Sequence, residues 1–215
     1  MYPLENGIGV GGLGRKFMAA FRRLSFTATA IAALVLALTV LSSANDANSD
    51  KSAKCRIKNF GCLNEKFYRG AQPEKEDYAD LAAMGVKTVI NFQKGGSERE
   101  QKLVEANGMK FYQIGMSDKS QPAPEQVERF LKIVNDTANQ PVFVHCAGGR
   151  HRTGAMIAIY RMTHDGWTAD RAYQEMKQFD FKYGMGHGPL KKYVYDYYSR
   201  IDHNPNGVVV TRRDN

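Results

Sequence analysis

The sequence has little of several features that would settle its class at once. Three cysteines in 215 residues are too few for a disulfide-stapled scaffold, and no second Cys or His pair stands at ligand spacing, so no metal site is expected. Prolines number seven and tryptophan one, with no internal repeat or low-complexity tract, which excludes collagen-like, solenoid and disordered classes. Acid is in deficit, since 22 Asp and Glu face 30 Lys and Arg, a formal charge of +8. Yet no basic block is interleaved with aromatics, which argues against nucleic acid. The positive balance suits an anionic partner, and solubility alone explains it equally well. The main apolar run, Phe26 to Leu41, has 16 residues, short of the roughly 20 that a membrane-spanning helix needs.

That run is nonetheless the first organisational signal. Arg15, Lys16, Arg22 and Arg23 precede it, and Ser42-Ser43-Ala44 follows it. This is the order of a secretory signal, with cleavage expected after Ala44 or Ala47. The alternative is an uncleaved membrane anchor over residues 24–44, its basic end in the cytoplasm. Either arrangement places the remainder outside the cytoplasm, in the periplasm or secreted. Residues 45–54 are small and polar and read as a linker; a folded domain is expected over 55–203, and a frayed tail over 204–215. Cys55 and Cys62 lie close enough for a local disulfide, whose small loop would contribute at the low end of ~2–4 kcal/mol; two thiols are the alternative.

From Cys55 onward, short apolar runs alternate with stretches of helical period. Strands are expected at Phe67–Arg69, Val86–Phe92, Lys110–Ile114 and Pro141–His145. Helices are expected at Glu74–Met84, Ser97–Asn107, Pro124–Thr137, Thr153–His164, Thr168–Gln178 and Pro189–Ile201. In the third, Val127, Phe130, Leu131 and Val134 share one face, and Thr168 stands as N-cap of the fifth. The order predicts an α/β domain with a central, mostly parallel sheet of four or five strands flanked by helices.

The chemistry concentrates in Val142-Phe-Val-His145-Cys146-Ala-Gly148-Gly149-Arg150-His151-Arg152-Thr153-Gly154. An apolar strand delivers Cys146 to the carboxyl edge of the sheet, two glycines allow a tight loop, and a helix begins near Arg152. Unpaired amides at a helix start form an anion site, and the same dipole favours a thiolate over a thiol. Ala147, Gly148, Gly149, Arg150, His151 and Arg152 are therefore the expected phosphate cradle. Arg152 would grip two phosphate oxygens with its planar guanidinium, which Lys could not imitate. Thr153 would donate to the sulfur as it leaves a covalent phosphocysteine. Arg150 and His151 would make the pocket wall more cationic than one phosphate needs, favouring substrates with several; outward-facing, solvated side chains are the alternative.

His145-Cys146-x5-Arg152-Thr153 resembles the signature of the protein tyrosine and dual-specificity phosphatase superfamily at every fixed position. The resemblance extends over residues 57–200, through Asn59-Phe60-Gly61, Phe67-Tyr68-Arg69-Gly70-Ala71-Gln72-Pro73 and Gly85 to Asn91, and is similar to the small bacterial dual-specificity-like phosphatases. Where such proteins commonly carry Leu-Arg after Ile-Asn, this chain has Phe92-Gln93. The family implies a general acid about 30 residues before the cysteine, and Asp118 is the residue at that place. It also implies a supporting role for His145, no cofactor, and a phosphorylated substrate: a protein, an inositol phosphate or a phosphoinositide. Arg69 is expected to pair with an acidic neighbour, with contact to substrate as the alternative, and His187 to be structural. The rival functions are a catalytically silent phospho-ligand module and an arsenate-reductase or sulfurtransferase-like enzyme.

Overall fold

The computed structural model describes residues 55–201. The signal or anchor segment, the linker and the tail lie outside the described residues. In chain order the elements are β1 (Gly61–Asn64), β2 (Phe67–Gly70), α1 (Asp77–Ala83), β3 (Thr88–Asn91), α2 (Ser97–Ala106), β4 (Lys110–Gln113), α3 (Pro124–Asn135), a 3-10 turn (Thr137–Asn139), β5 (Val142–His145), α4 (His151–His164), α5 (Ala169–Gln178) and α6 (Gly188–Arg200). The expected elements are all present within a few residues. The addition is β1, a half-buried edge strand that pairs antiparallel with β2.

The sheet order is β1-β2-β5-β3-β4, and every pair except β1–β2 is parallel. Parallel strands covered on both faces read as continuous apolar runs, and all four residues of β2, of β3 and of β5 are buried. Because side chains alternate across a strand, the sheet serves two cores. Phe67, Ile90, Val142 and Val144 join the side built with Phe130, Met156, Met176 and Val194. Tyr68, Val89 and Phe143 join the other with Tyr78, Leu81 and Val104. The last strand in sequence thus lies in the middle, with Gly70, His145 and Asn91 in one row across its carboxyl end. Chain leaving β5 emerges between the exits of β2 and β3, where open α/β sheets bind ligands.

Helix α4 follows at once, buried without interruption from Thr153 through Ile159. Such all-round burial belongs to a helix enclosed by neighbours rather than to a surface helix. Arg161 ties it to α5 through Glu175 at 2.7 Å, and its guanidinium stacks on Trp167 at 4.3 Å. Thr168 caps α5 as expected, accepting from the Arg171 amide. Tyr193 and Tyr197 of α6 are buried and pack the last helix against the core. Cys55 and Cys62 are thiols and do not pair with each other; Cys62 donates to the Asn64 carbonyl at 3.2 Å.

Candidate active site

Cys146 stands at the exit of β5, 3% exposed, and the loop after it runs directly into α4 at His151. The carbonyls of this loop are tied to the surrounding frame. Ala147 O accepts from the Gln72 amide at 3.2 Å. Gly148 O and Gly149 O accept from Asn59 Nδ2 at 3.3 and 3.1 Å, and Gly149 O also accepts from Arg69 Nη2 at 2.6 Å. In a trans peptide unit the N–H points opposite to the C=O. Outward carbonyls at 147, 148 and 149 therefore turn the amides of Gly148, Gly149 and Arg150 into the loop, where α4 adds its own unpaired amides. Gly149 is the residue this geometry cannot replace: its φ is +65°, and a Cβ there would lie 2.5 Å from the Gly70 backbone.

Two buried donors at the start of α4, Arg152 Nε and Thr153 Oγ1, have no protein acceptor. A buried donor without a partner is costly unless a ligand supplies one. Both are residues that sequence reasoning assigned to the anion and the sulfur.

The remaining side chains of the loop correct the expectation of a cationic wall. Arg150 turns outward to Asp180 at 3.0 Å, with both side chains half-exposed. Burial, then His187 and Arg150, push His151 down to about 4, so its imidazole is neutral at pH 7. The ring accepts from the Lys182 amide at 3.4 Å and stacks on His187, with centroids 3.5 Å apart.

Arg69 departs from its expected pairing. It is fully buried, clamps Gly149 O and lies 3.8 Å over the Phe179 ring, so it holds the loop rather than an acidic partner. Burial pulls its guanidinium down to about 10, against the opposing pull of Glu175 and of the Cys146 sulfur. A buried positive charge thus lies within electrostatic reach of the nucleophile.

Behind the nucleophile is a polar network that sequence reasoning missed. His145, fully buried, brings Nε2 to 2.8 Å from Glu100 Oε1 of α2. The same carboxylate accepts from Tyr78 Oη at 2.8 Å, Gln72 Nε2 at 3.0 Å and Asn91 Nδ2 at 2.5 Å. Gln93, where an arginine is common, donates to Gln72 Oε1 at 2.5 Å and so joins this network. Burial opposes ionisation of Glu100, but the bonds from His145, Tyr78 and Gln72 outweigh it and hold the carboxyl below its ordinary range. Glu100 and Asn59 reach the site across the fold; Asn59 stands in the Asn59-Phe60-Gly61 stretch that carries the resemblance, with φ +55° in the structure, while no local pattern marks Glu100.

Asp118 lies between β4 and α3, close enough for its charge to act on His151. Its carbonyl accepts from His187 Nδ1 at 2.8 Å. The structure thus brings the loop carrying Asp118 against the residues that follow Cys146. Beside the cradle, a cleft of about 290 Å³ is lined by Lys58, Asn59, Ala71, Ala147, Gly148, Arg150 and Asp180.

A cysteine at the centre of the sheet's carboxyl edge, under inward amides and followed by Arg-Thr on a helix start, defines the Cys-based tyrosine and dual-specificity phosphatases. Residues 45–187, more than half of the chain, match the family described as "DSP-PTPase phosphatase fused to NAD+ Kinase", and the chain belongs to that family. It is similar to the inositol diphosphatase DSP3 of Arabidopsis thaliana, 28% identical over 125 residues, 56% of this chain and 61% of that protein. It is also similar to the inositol diphosphatase SIW14 of Saccharomyces cerevisiae, 29% identical over 129 residues, 57% of this chain and 46% of that one. The chain thus spans less than two thirds of the length of these curated relatives. The solved catalytic core of the PP-IP phosphatase SIW14 from S. cerevisiae, in complex with citrate, superposes with a TM-score of 0.59 at 26% identity, over 66% of this chain and 86% of that one. P. aeruginosa TpbA shares the fold at a TM-score of 0.57 and 24% identity, over 65% and 84%.

Proposed function

We propose that this chain hydrolyses phosphoric esters or anhydrides through a phosphocysteine, with Cys146 as nucleophile, Arg152 and the loop amides as the phosphate cradle, and Asp118 as general acid. The supporting observation is the set of three tethered carbonyls that turns the loop amides toward the space above Cys146. In the first step the Cys146 sulfur attacks phosphorus, the P–O bond breaks, and Asp118 gives its proton to the leaving oxygen. Arg152 and the inward amides bear the charge that spreads over the equatorial oxygens. In the second, water attacks the phosphocysteine and gives a proton to the Asp118 carboxylate. The S–P bond breaks, phosphate departs, and Thr153 stabilises the returning thiolate.

The substrate we propose carries a second anionic group next to the scissile phosphate, with inositol diphosphates as the first class to test. The cleft beside the loop is lined by Lys58 and by the Arg150–Asp180 ion pair, so among the described residues Lys58 is the cation it offers without a carboxylate partner in the cleft, and the relatives DSP3 and SIW14 carry the name inositol diphosphatase. Phosphate release from p-nitrophenyl phosphate, abolished in Cys146→Ser, tests the chemistry. The substrate class is tested by kcat/KM on an inositol diphosphate against a phosphotyrosine peptide. Equal or better turnover of the peptide would remove the second proposal and leave the first.

A further inference from the structure

Three contacts join the segment before α6 to the two loops of the site. His187, 7% exposed, stacks its ring on His151, the first residue of α4, at 3.5 Å and 15° between planes. Its Nδ1 meets the Asp118 carbonyl at 2.8 Å across 69 residues of chain. A carbonyl can only accept, so Nδ1 carries the proton and donates. The Lys119 side chain lies over Gly186, 3.5 Å from where a Cβ would begin.

Among the described residues, the other hydrogen bonds from outside the loop around Asp118 fall at its two ends, including Gln126 Nε2 to Gly115 O at 2.7 Å. Met116 N donates to Phe92 O at 3.1 Å before it, and after it Gln121 reaches Asp196 at 3.4 Å while Gln126 bonds Ala123 N at 2.8 Å. Between them, Lys119 N bonds Ser117 Oγ within the loop. Among the described residues, the His187 bond is the one that reaches residues 117–120 from outside the loop. It falls on the peptide of the residue proposed to move the proton.

We infer that His187 is a positioning residue: braced on His151, it holds the Asp118 peptide so that the carboxyl of Asp118 reaches the leaving oxygen. This rests on the proposed role of Asp118 as general acid. A general acid matters most where the leaving group is a strong base, and contributes about 10²- to 10⁴-fold there. Loss of its alignment therefore shows as a change in leaving-group dependence, which a purely structural role would not produce.

The test compares kcat/KM on p-nitrophenyl phosphate and phenyl phosphate for the full chain, Asp118→Asn, His187→Ala, His187→Phe and His187→Asn. Phe keeps the stacked ring without the donor, and Asn restores an N–H without the ring, so the set remains informative even if the Ala variant fails to fold. The expected result is a loss of about tenfold or more on phenyl phosphate in His187→Phe, little loss on p-nitrophenyl phosphate, and partial recovery in His187→Asn. Equal losses on both substrates in His187→Phe, while Asp118→Asn is selectively impaired on phenyl phosphate, would overturn the inference alone. Should Asp118→Asn itself show no selectivity, the general-acid assignment falls and the inference with it.

Discussion

Replacing Glu100 perturbs the site from behind. Its carboxylate is 5% exposed, accepts from Tyr78, Gln72 and Asn91 and lies 2.8 Å from His145 Nε2. Glu100→Ala leaves the buried donors of Tyr78 and Asn91 and the part-buried amide of Gln72 without that acceptor, at about 1–3 kcal/mol for each buried group orphaned. These losses are not additive, because the groups share one network and water can enter the space left. Breaking a buried charged network costs about 3–5 kcal/mol in comparable cases, against a total stability of about 5–15 kcal/mol. At about 2–4 °C per kcal/mol for a domain of this size, Tm falls by roughly 6–20 °C. Glu100→Gln keeps the volume and one acceptor and should lose only about 1–2 kcal/mol, the difference between charged and neutral hydrogen bonds. The sign with pH follows from the depressed carboxyl. Its stabilisation is present above the unfolded value of about 4.3 and disappears as pH falls through the lower folded value; Glu100→Gln should lack that acid loss. Urea unfolding followed by circular dichroism measures both variants. An Ala variant within about 0.5 kcal/mol of the parent, in the range of a surface substitution, would refute the network's role, as would a Gln variant as damaged as the Ala one.

Two further outcomes follow from the cradle. Gly149→Ala puts a methyl into the Gly70 backbone at a left-handed position, so the loop must shift and kcat/KM should drop about 10²-fold or more; an active Gly149→Ala protein would contradict the described loop. His151, held down to about 4, refuses a proton that the unfolded chain takes at about 6.5. Stability therefore declines as pH falls from about 6.5 to about 4, and a His151→Gln melting curve should decline less over that window. Identical pH profiles would show that the ring is not shielded as described.

The residues proposed to act on phosphorus could be named from the sequence because the loop carries them side by side. His145, Cys146, Arg152 and Thr153 sit where the spacing placed them. The sheet was legible where burial on both faces leaves continuous apolar runs, as in Val142-Phe143-Val144. β1 was not, because Gly61-Cys62-Leu63-Asn64 is a short, half-exposed edge whose pairing depends on the hairpin with β2 rather than on its own pattern. Residues that hold the loop are contributed from far along the chain. Asn59 meets Gly149 across 90 residues and Arg69 meets it across 80, and a sequence read locally carries no trace of such contacts. The direction of Arg150 and the neutrality of His151 were open for the same reason: Asp180 and His187, which decide them, arrive only when α5 and α6 fold against α4.

The central claim is that a sulfur, under inward amides, takes the phosphoryl group. Acid quench of the Asp118→Asn protein during turnover of p-nitrophenyl phosphate, followed by peptide mass spectrometry, addresses it most directly. A phosphoryl group is expected on the peptide containing Cys146, absent from the same peptide in Cys146→Ser. Phosphate release that continues in Cys146→Ser, or a phosphoryl group carried by another side chain, would contradict it.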